Sequence, residues 1–352
     1  MSRAPITAFE ATVIAVEDIS PAFRRVTLGG PGLEGFGLKG HPRDLRFKLI
    51  IPPAGAAEPQ FDLLKFLAEQ EEAGISWYQA WLQVDPEVRG AMRTYTVREW
   101  REAESELVVD MVLHTDAAGH SGPAAQWAIS AEVGNSLHVI GPSRHAEGIY
   151  GGIEFAPGGA HQILLAGDET AVPAIASILD SIKDDDVRGK AILEVPSAED
   201  VLDITAPEGF EIQWLPRGDA DHGELLEPAV REVVRAESKI LAEVGASFGA
   251  AGSGAADPGA GLEGMSGAGS GAVELEDVDI DEVILWDVPA ALSQAAQGSS
   301  SATEQEARPF YAWIAGEAGP VKRLRRYLVQ EVGVDRHQIA FMGYWRQGKA
   351  EG

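Results

Sequence analysis

The chain contains no cysteine among its 352 residues. Disulfides, thiolate zinc sites, cysteine-ligated iron–sulfur clusters and a cysteine nucleophile are therefore excluded. The sequence also lacks any apolar run of membrane-spanning length, and Met1–Glu10 has no basic stretch followed by an apolar segment. We therefore expect no membrane insertion, no signal peptide and a cytoplasmic location.

Basic residues are few, because 28 lysines and arginines stand against 55 aspartates and glutamates, a formal net charge of −27. A chain this acidic is repelled by phosphate backbones and by anionic lipid surfaces. Its charge therefore argues against nucleic-acid binding and against docking on membranes. A length of 352 residues is sufficient for two domains with separate cores.

The first part of the chain is patterned as β-strands. Short segments rich in β-branched residues are separated by turns with glycine and proline, which predicts a closed antiparallel barrel. The predicted strands are Ile6–Val16, Phe23–Leu28, Leu45–Ile51, Met92–Val97, Glu106–Leu113 and Ser136–Ile140. Residues 58–90 interrupt this rhythm, and we expect an excursion with some helix there.

The second part alternates apolar strands with helical patterns, which predicts a parallel sheet covered by helices. The predicted strands are Gln162–Ala166, Ala191–Val195, Glu211–Leu215, Phe310–Ala315 and Ile339–Met342, with helices near 174–182 and at Val321–Val332. The expected fold class is therefore a β barrel plus an α/β domain. We place the domains at 1–150 and 151–352.

An insertion is predicted at about 235–308. Its stretch 246–271 is dominated by glycine, alanine and serine. Such a stretch buries too little apolar surface to offset the entropy of ordering, so we expect a flexible, acidic surface insertion. The segment 281–288 within it is expected to form a strand or a short helix.

The first motif runs from Arg93 to Arg98, with the sequence RTYTVR. On a strand, Arg93 and Tyr95 lie on one face, and Thr96 and Arg98 lie on the other. A tyrosine ring can stack on a flavin, a threonine hydroxyl can bind its heteroatoms, and an arginine can neutralise a pyrophosphate. The alternative is an exposed strand with cross-strand charge pairs, and so short a pattern does not by itself exclude it.

The second motif runs from His114 to Ala128, with the sequence HTDAAGHSGPAAQWA. A strand leads into a glycine-containing loop, and Gly122-Pro123 then opens a helix, with proline in its preferred first turn. The N–H groups of a helix N-terminus can bind a phosphate. The alternative is a plain strand–loop–helix connection with ordinary loop histidines, and we predict no metal site here.

Three further motifs lie in the second part. Leu164–Pro173 reads as a strand, a tight turn and a helix start, which is the layout of a nucleotide site at the carboxyl end of a parallel strand. It lacks the G-x-G-x-x-G pattern. The other two motifs are AWIAGEAG at 312–319, followed by a basic helix start, and GYWRQG at 343–348.

Taken in order, the five motifs resemble those of the siderophore-interacting protein family of flavin-dependent ferric-siderophore reductases. The similarity covers R-x-Y-T-x-R, H…G-P-A-x-x-W-A, G-D-E-T-A-x-P, A-W-x-A-G-E and G-Y-W-R-x-G. The insertion lies outside it. The resemblance implies a ferredoxin-reductase-like plan, with an FAD-binding barrel followed by a nicotinamide-binding α/β domain.

The resemblance also implies roles for individual residues. FAD would be held by Arg93, Tyr95, Thr96, Arg98, His114, Gly122, Pro123, Ala124 and Trp127. NADPH or NADH would be held by Gly167, Asp168, Glu169, Thr170, Arg217, Gly316 and Glu317. An Arg217 that contacts a 2′-phosphate would favour NADPH. No catalytic side chain is predicted, because the flavin carries the chemistry.

The substrate implied by the resemblance is a ferric siderophore, and many of these chelates are anionic. A strongly acidic protein then needs a local basic pocket, for which the candidates are Lys48, Arg144 and Arg346. Two alternatives stay open. One is a general NAD(P)H–flavin oxidoreductase with another acceptor, and the other is a non-catalytic protein that binds flavin or siderophore. Ferredoxin is a further candidate donor.

Overall fold

The computed structural model describes residues 6–114, 121–146, 150–236, 285–289 and 309–348. The first part forms one antiparallel sheet. Its seven strands are β1 Ile6–Ser20, β2 Phe23–Gly29, β3 Arg46–Ile51, β4 Ala91–Thr96, β5 Glu99–Arg101, β6 Glu106–Val112 and β7 Ser136–Pro142. The six predicted strands are confirmed, with ends shifted by a few residues. The three-residue β5 is additional, because so short a strand has no readable alternation.

The first sheet is strongly curled. Its strand order is β4-β3-β7-β1-β2-β6-β5, so β4 and β5 form its two edges. Only Val97 and Arg98 separate these edge strands along the chain, so the three steps from Thr96 to Glu99 span roughly 10 Å at most. The edges therefore adjoin, and the Arg98 N–H donates to the Val108 carbonyl at 3.0 Å. The expected closed barrel is in fact a half-barrel, because no strand ladder joins β4 to its neighbour across this crossing.

The excursion after β3 forms three short helices: α1 Leu63–Ala73, α2 Trp77–Leu82 and α3 Pro86–Arg89. The Asp62 carboxylate caps the start of α1 by accepting the Lys65 N–H at 2.9 Å. Gly74, in the left-handed region at φ 66°, ends it. Leu63 and Trp81 are buried against the outer face of the half-barrel.

The second part forms a six-stranded sheet in the order β10-β9-β8-β12-β13-β11. Its strands are β8 Gln162–Gly167, β9 Arg188–Val195, β10 Phe210–Pro216, β11 Trp286–Asp287, β12 Phe310–Glu317 and β13 Ile339–Trp345. All pair in parallel except β11, which runs antiparallel to β13. The predicted strands are confirmed, and within the described part of 281–288 the residues Trp286 and Asp287 form a strand.

Helices cover the faces of this sheet, as the alternating pattern predicts. They are α5 Val172–Ser181, α6 at 226–236 and α7 Ala318–Arg326, which continues as a π-helical turn at Tyr327–Val332. A further helix, α4 Pro123–Ser130, packs instead against the half-barrel core. The stretch 246–271 and most of the predicted insertion lie outside the described residues. No helix in the described ranges has the length and apolar character needed to cross a membrane.

Buried polar contacts join the two sheets. The Asp44 carboxylate, before β3, accepts the Trp313 indole N–H at 2.9 Å. Burial raises the pKa of Asp44 to about 6. On the other side, the Asp200 carboxylate accepts the Ser20 hydroxyl and the Ala22 N–H, each at 2.8 Å. These contacts hold the edge strand β4 opposite the carboxyl ends of β8 and β12. The predicted boundary near residue 150 stays a prediction.

Candidate functional site

A cavity of about 550 Å³ lies between the two sheets. One wall is formed by β3 and β4 of the half-barrel, and the opposite wall by the loop after β8 and the end of β13. Its lining includes Arg46, Lys48, Arg93, Thr94, Tyr95, Thr96, Asp110, Val112, His114, Thr170, Pro173, Trp286, Gly343, Tyr344 and Trp345. In the second sheet, β8 and β12 are neighbours from which the strand order runs outward in both directions. The cavity therefore lies at a topological switch point, where α/β sheets bind ligands.

The half-barrel wall is explained by strand alternation. Phe47 of β3 is buried in the core, while Lys48 is exposed and turned to the cavity. The register pairs Lys48 with Thr94 on β4, and the Lys48 ammonium donates to the Thr94 hydroxyl at 3.0 Å. Tyr95 packs its ring against the barrel core and still reaches the cavity at the sheet edge. Because β4 is an edge strand, both of its faces contribute to the lining.

The two arginines of the first motif lie in different places. Arg93 lines the cavity, and its guanidinium donates to the Met92 carbonyl at 2.7 Å. Arg98 is outside the lining and forms an ion pair with Asp180 at 2.6 Å on the far side of the crossing. Arg98 therefore joins the two parts of the chain, and its guanidinium also lies 3.8 Å from the carboxylate of Asp110, which lines the cavity.

Asp168 organises the opposite wall. Its fully buried carboxylate accepts from the Thr170 N–H at 2.9 Å and from the Thr170 hydroxyl. It also accepts from the Glu317 N–H at 2.7 Å and the Trp345 indole N–H at 2.9 Å. Burial, and then the nearby charge of Glu169, raise the pKa of Asp168 to about 7. One carboxyl thus ties together the ends of β8, β12 and β13.

Two glycines allow this close approach at the switch point. A side chain at Gly167 would lie 2.5 Å from the Ala315 carbonyl. At Gly316, where φ is +142°, a side chain would lie 2.7 Å from the Asp168 carboxylate. Both glycines were predicted to face the nicotinamide donor. Their observed role is to let the backbones of β8 and β12 meet around Asp168.

Glu169 and Arg217 form a buried ion pair. The two terminal nitrogens of Arg217 each donate to a different oxygen of Glu169 at 2.7 Å. The Glu194 carboxylate lies 3.9 Å from the same guanidinium. Burial alone would raise the pKa of Glu169, but the Arg217 guanidinium offsets it and the pKa is lowered. This geometry commits Arg217 to Glu169 and does not support it as the ligand of a 2′-phosphate.

Glu194 is also buried, and its carboxylate caps the N-terminus of α6. Its carboxylate accepts the N–H groups of Gly223 at 2.8 Å and Leu226 at 2.9 Å. Glu317 is similarly occupied, since its carboxylate caps α7 through the Gly319 N–H and accepts from Arg346 at 3.3 Å. Asp168, Glu169, Glu194 and Glu317 are therefore all bound to protein groups at this sheet edge.

Two histidines flank the Trp345 ring. Its centroid lies 5.5 Å from that of His114 and 4.7 Å from that of His222. Burial lowers the pKa of both histidines, so both imidazoles are neutral near pH 7. Ligand atoms of Asp168, Glu169 and His222 lie within 4.8 Å of one another. Protein donors already satisfy both carboxylates, so we assign no metal to this cluster.

A second cavity, of about 950 Å³, follows the first along β4. It begins at Ala91, two residues before Arg93, and reaches α4 at Pro123 and Trp127. The start of α4, at Gly122, has no side-chain cap. The buried Trp127 indole N–H borders this cavity and has no hydrogen-bond partner among the described residues. Ala124 is buried behind it in the barrel core.

Of the three predicted basic residues, two lie in or next to the first cavity and one lies outside it. Lys48 lines the first cavity, and Arg346 contacts Glu317 at the end of β13 next to it. Arg144 is absent from the lining and pairs with Glu102. Sequence reasoning missed Arg46, whose guanidinium lies 4.1 Å from the centroid of the Trp286 ring and 2.6 Å from Glu154. Its position two residues before Lys48 was the available signal.

Aromatic residues of the cavity were also missed. Tyr344 and Trp345 belong to the terminal motif, but only Arg346 was singled out there. Trp286 lies in β11, within the stretch expected to be an insertion, and its ring stacks on Tyr344 with centroids 6.0 Å apart. Aromatic side chains in a motif are ambiguous in sequence, because most of them belong to a core.

The two cavities fit a dinucleotide flavin. The first offers aromatic and hydroxyl groups for a flat ring system, with Arg93 at its junction with the second cavity. The second offers the uncapped N–H groups of α4 and the unpartnered Trp127 N–H, both of which suit a phosphate or a sugar. Other buried polar atoms, such as those of Trp81 and Arg89, also lack a partner among the described residues, so the Trp127 N–H does not by itself assign a ligand.

Comparisons with known proteins match both parts of the chain. The family model described as siderophore-interacting FAD-binding domain matches residues 12–146, and that described as siderophore-interacting protein matches residues 160–348. The ferric vibriobactin reductase ViuB of Vibrio cholerae is 31% identical over 61% of this chain and 69% of that protein. The NADPH-dependent ferric-chelate reductase of Escherichia coli is 28% identical over 58% of this chain and 70% of that protein.

A similar fold is found among solved structures. The siderophore utilization protein from T. fusca superposes with a TM-score of 0.60 at 23% identity, covering 99% of this chain and 97% of that one. This likeness supports the arrangement of an FAD-binding half-barrel and an α/β sheet, and it agrees with the fold class expected from the sequence.

Proposed function

Because the chain belongs to the siderophore-interacting protein family, we propose that it is a flavin-dependent ferric-siderophore reductase. It passes electrons from a nicotinamide nucleotide through FAD to siderophore-bound Fe(III). One nucleotide gives up a hydride, which carries two electrons, and two Fe(III) ions each accept one. The cytoplasmic location is part of this proposal.

The observation that carries the proposal is the position of the first cavity. It places the β4 motif, cationic side chains and the switch point of the α/β sheet around one space. A flavin reductase needs this combination, because its electron donor and its acceptor must both reach the same ring system. A strand with only a structural role would not need to lie opposite a switch point.

The chain's own residues bind and orient the flavin. Tyr95 and Thr96 would hold the ring system, Arg93 would neutralise the pyrophosphate, and Trp127 with the N-terminus of α4 would hold the adenosine side. When bound, FAD supplies the conversion of two-electron hydride transfer into single-electron steps.

The acceptor approaches from the half-barrel side. Arg46 and Lys48 give the cavity a local positive charge within a chain of net charge −27. That charge attracts an anionic ferric chelate and is screened by salt. Reduction weakens the hold of the hard oxygen ligands on iron, so Fe(II) leaves the siderophore.

The test is anaerobic and separates the two half-reactions. Purified protein is loaded with FAD and mixed with NADH, NADPH or reduced ferredoxin while flavin absorbance is followed. The reduced protein is then mixed with ferric siderophores, free flavin and a quinone. Fast reoxidation by a ferric siderophore alone supports the proposal. Equal reoxidation by all acceptors favours a general flavin reductase, and a protein that no donor reduces favours a carrier.

A further inference from the structure

The loops at the carboxyl ends of β9 and β10 carry an inference about the electron donor, which rests on the proposed function. Both strands run parallel to β8, so their ends lie at the same sheet edge as the switch point. A dinucleotide whose nicotinamide reaches the first cavity extends its adenosine over these loops. We call residues 196–200 and 217–224 the adenosine edge.

The adenosine edge is acidic. It contains Glu199, Asp200, Asp219, Asp221 and Glu224, against one arginine and no lysine. The chain has no lysine or arginine anywhere from 196 to 209. A 2′-phosphate would bring a further negative charge to this edge, whereas a free ribose hydroxyl would bring none.

The single arginine of the edge is not available to a phosphate. Arg217 gives both terminal nitrogens to Glu169 at 2.7 Å, and its side chain is only 9% exposed. A phosphate that captured Arg217 would leave Glu169, which is fully buried, without its counter-charge. His222 cannot substitute, because burial lowers its pKa and keeps the imidazole neutral near pH 7.

The turn after β9 supplies a candidate for reading the ribose. Ser197 and Asp200 form a reciprocal capping box, in which the Asp200 carboxylate accepts the Ser197 N–H at 3.1 Å. The Ser197 hydroxyl also accepts the Glu199 N–H at 3.2 Å and donates to Asp200 at 2.8 Å. The turn is therefore held in one shape, with Glu199 exposed at its surface. A carboxylate at the end of the second strand of such a sheet accepts a hydrogen bond from a free ribose 2′-hydroxyl.

We propose that the adenosine edge selects a dinucleotide with a free 2′-hydroxyl, so that NADH and not NADPH is the donor, and that Glu199 reads the 2′ position. This preference would distinguish the chain from the NADPH-dependent Escherichia coli relative. It is also the opposite of the NADPH preference that Arg217 suggests in the sequence.

The test measures binding on the FAD-loaded protein by calorimetry, with ADP-ribose and 2′-phospho-ADP-ribose as probes. We expect ADP-ribose to bind at least tenfold more tightly, with the difference widening at low salt. Glu199→Arg should reduce or reverse the difference. Glu208→Arg is the matched control. It makes the same charge change just before β10, at the amino ends of the parallel strands and away from the adenosine edge, so it should leave the preference unaltered.

The outcomes separate this inference from the function it rests on. Equal or tighter binding of the 2′-phosphorylated probe overturns the choice of donor and leaves the reductase proposal standing. An unaltered preference in Glu199→Arg overturns the role of Glu199. Binding of neither probe, together with no flavin reduction by NADH or NADPH, overturns the nicotinamide site and the donor half of the proposed function at once.

Discussion

The Trp345 indole N–H donates to the Asp168 carboxylate at 2.9 Å, across 177 residues of sequence. This bond fixes an aromatic ring of the terminal motif against the turn after β8. The same carboxylate holds the last residue of β12 through the Glu317 N–H. The aromatic side of the first cavity therefore depends on one buried acid.

We predict that Asp168 gives the protein a characteristic pH dependence of stability. Its pKa is about 7 in the folded protein and about 4 in an unfolded chain, so the folded state binds the proton more tightly. The free energy of unfolding should therefore fall as the pH rises from about 4 to 7, by about 1.4 kcal/mol for each unit of pKa difference.

Asp168→Asn tests this, because it removes the titrating group. Urea unfolding of the FAD-loaded variant at pH 5 and pH 7.5 should show a smaller difference between the two pH values than the original protein shows. Some difference should remain, because Asp44 also has a raised pKa of about 6. An unchanged pH dependence would show that Asp168 stays ionised throughout.

We predict that Arg93→Ala weakens FAD binding by about tenfold or more, because a charge-assisted hydrogen bond contributes about 1.5–3 kcal/mol. Folding should be little affected, since the described contact of this side chain is to the neighbouring Met92 carbonyl. The matched control is Arg101→Ala. It removes an arginine of β5 that pairs with Glu99 and Glu106. Fluorescence titration with FAD measures both variants, and equal affinities would contradict the assignment of Arg93.

We predict that Trp127→Phe lowers FAD affinity about fivefold. The free energy of unfolding of the apoprotein should change only by the amount that the smaller ring volume costs. The substitution removes an N–H that has no partner in the described structure, so no protein hydrogen bond is lost. Trp313→Phe is the comparison, because it removes the same atoms but also the bond to Asp44. It should cost about 1–3 kcal/mol more in unfolding free energy.

Calorimetric FAD titration and urea unfolding of both variants decide this. If Trp127→Phe binds FAD as the original protein does, the second cavity holds something else.

We predict that Lys48→Ala raises the KM for an anionic ferric siderophore several-fold, about 1 kcal/mol for a partly exposed charge. Flavin reduction by the nucleotide should change little, since the nucleotide enters from the opposite wall. Arg346→Ala should act in the same direction but less strongly, because Arg346 contacts Glu317.

Arg144→Ala now serves as the control, since Arg144 pairs with Glu102 outside the cavity. Stopped-flow measurement at two salt concentrations checks all three variants. A larger effect from Arg144 than from Lys48 would place the acceptor elsewhere.

Local patterns were sufficient for most of the fold. Alternation along segments such as Arg46–Ile51 predicts strands because one face must be buried, and turn residues mark their ends. The half-barrel in place of a closed barrel could not be predicted in this way. Closure depends on whether the two edge strands, β4 and β5, form a ladder, and that depends on sheet curl and not on either segment alone.

The same distinction applies to the site residues. Those placed by strand alternation were predictable from the sequence, and those placed by ion pairing were not. Tyr95, Thr96 and Lys48 lie on strands whose register follows from alternation, and all three reach the cavity. Arg98, Arg144 and Arg217 are indistinguishable from them in sequence, yet each is bound to a carboxylate that lies far along the chain. An arginine's partner is chosen by proximity in space, which sequence separations of 42 to 82 residues do not reveal.

The sequence by itself determined the two-part architecture, the acidity and the motifs that resemble one family, because composition and periodicity act within a few residues. Only the tertiary structure decided which charges are available to ligands. It buried Glu169 against Arg217, left Glu199 exposed at the adenosine edge and brought Trp345 to Asp168. The physical reason is that burial and pairing set the electrostatics of a site, and both are properties of the packed chain.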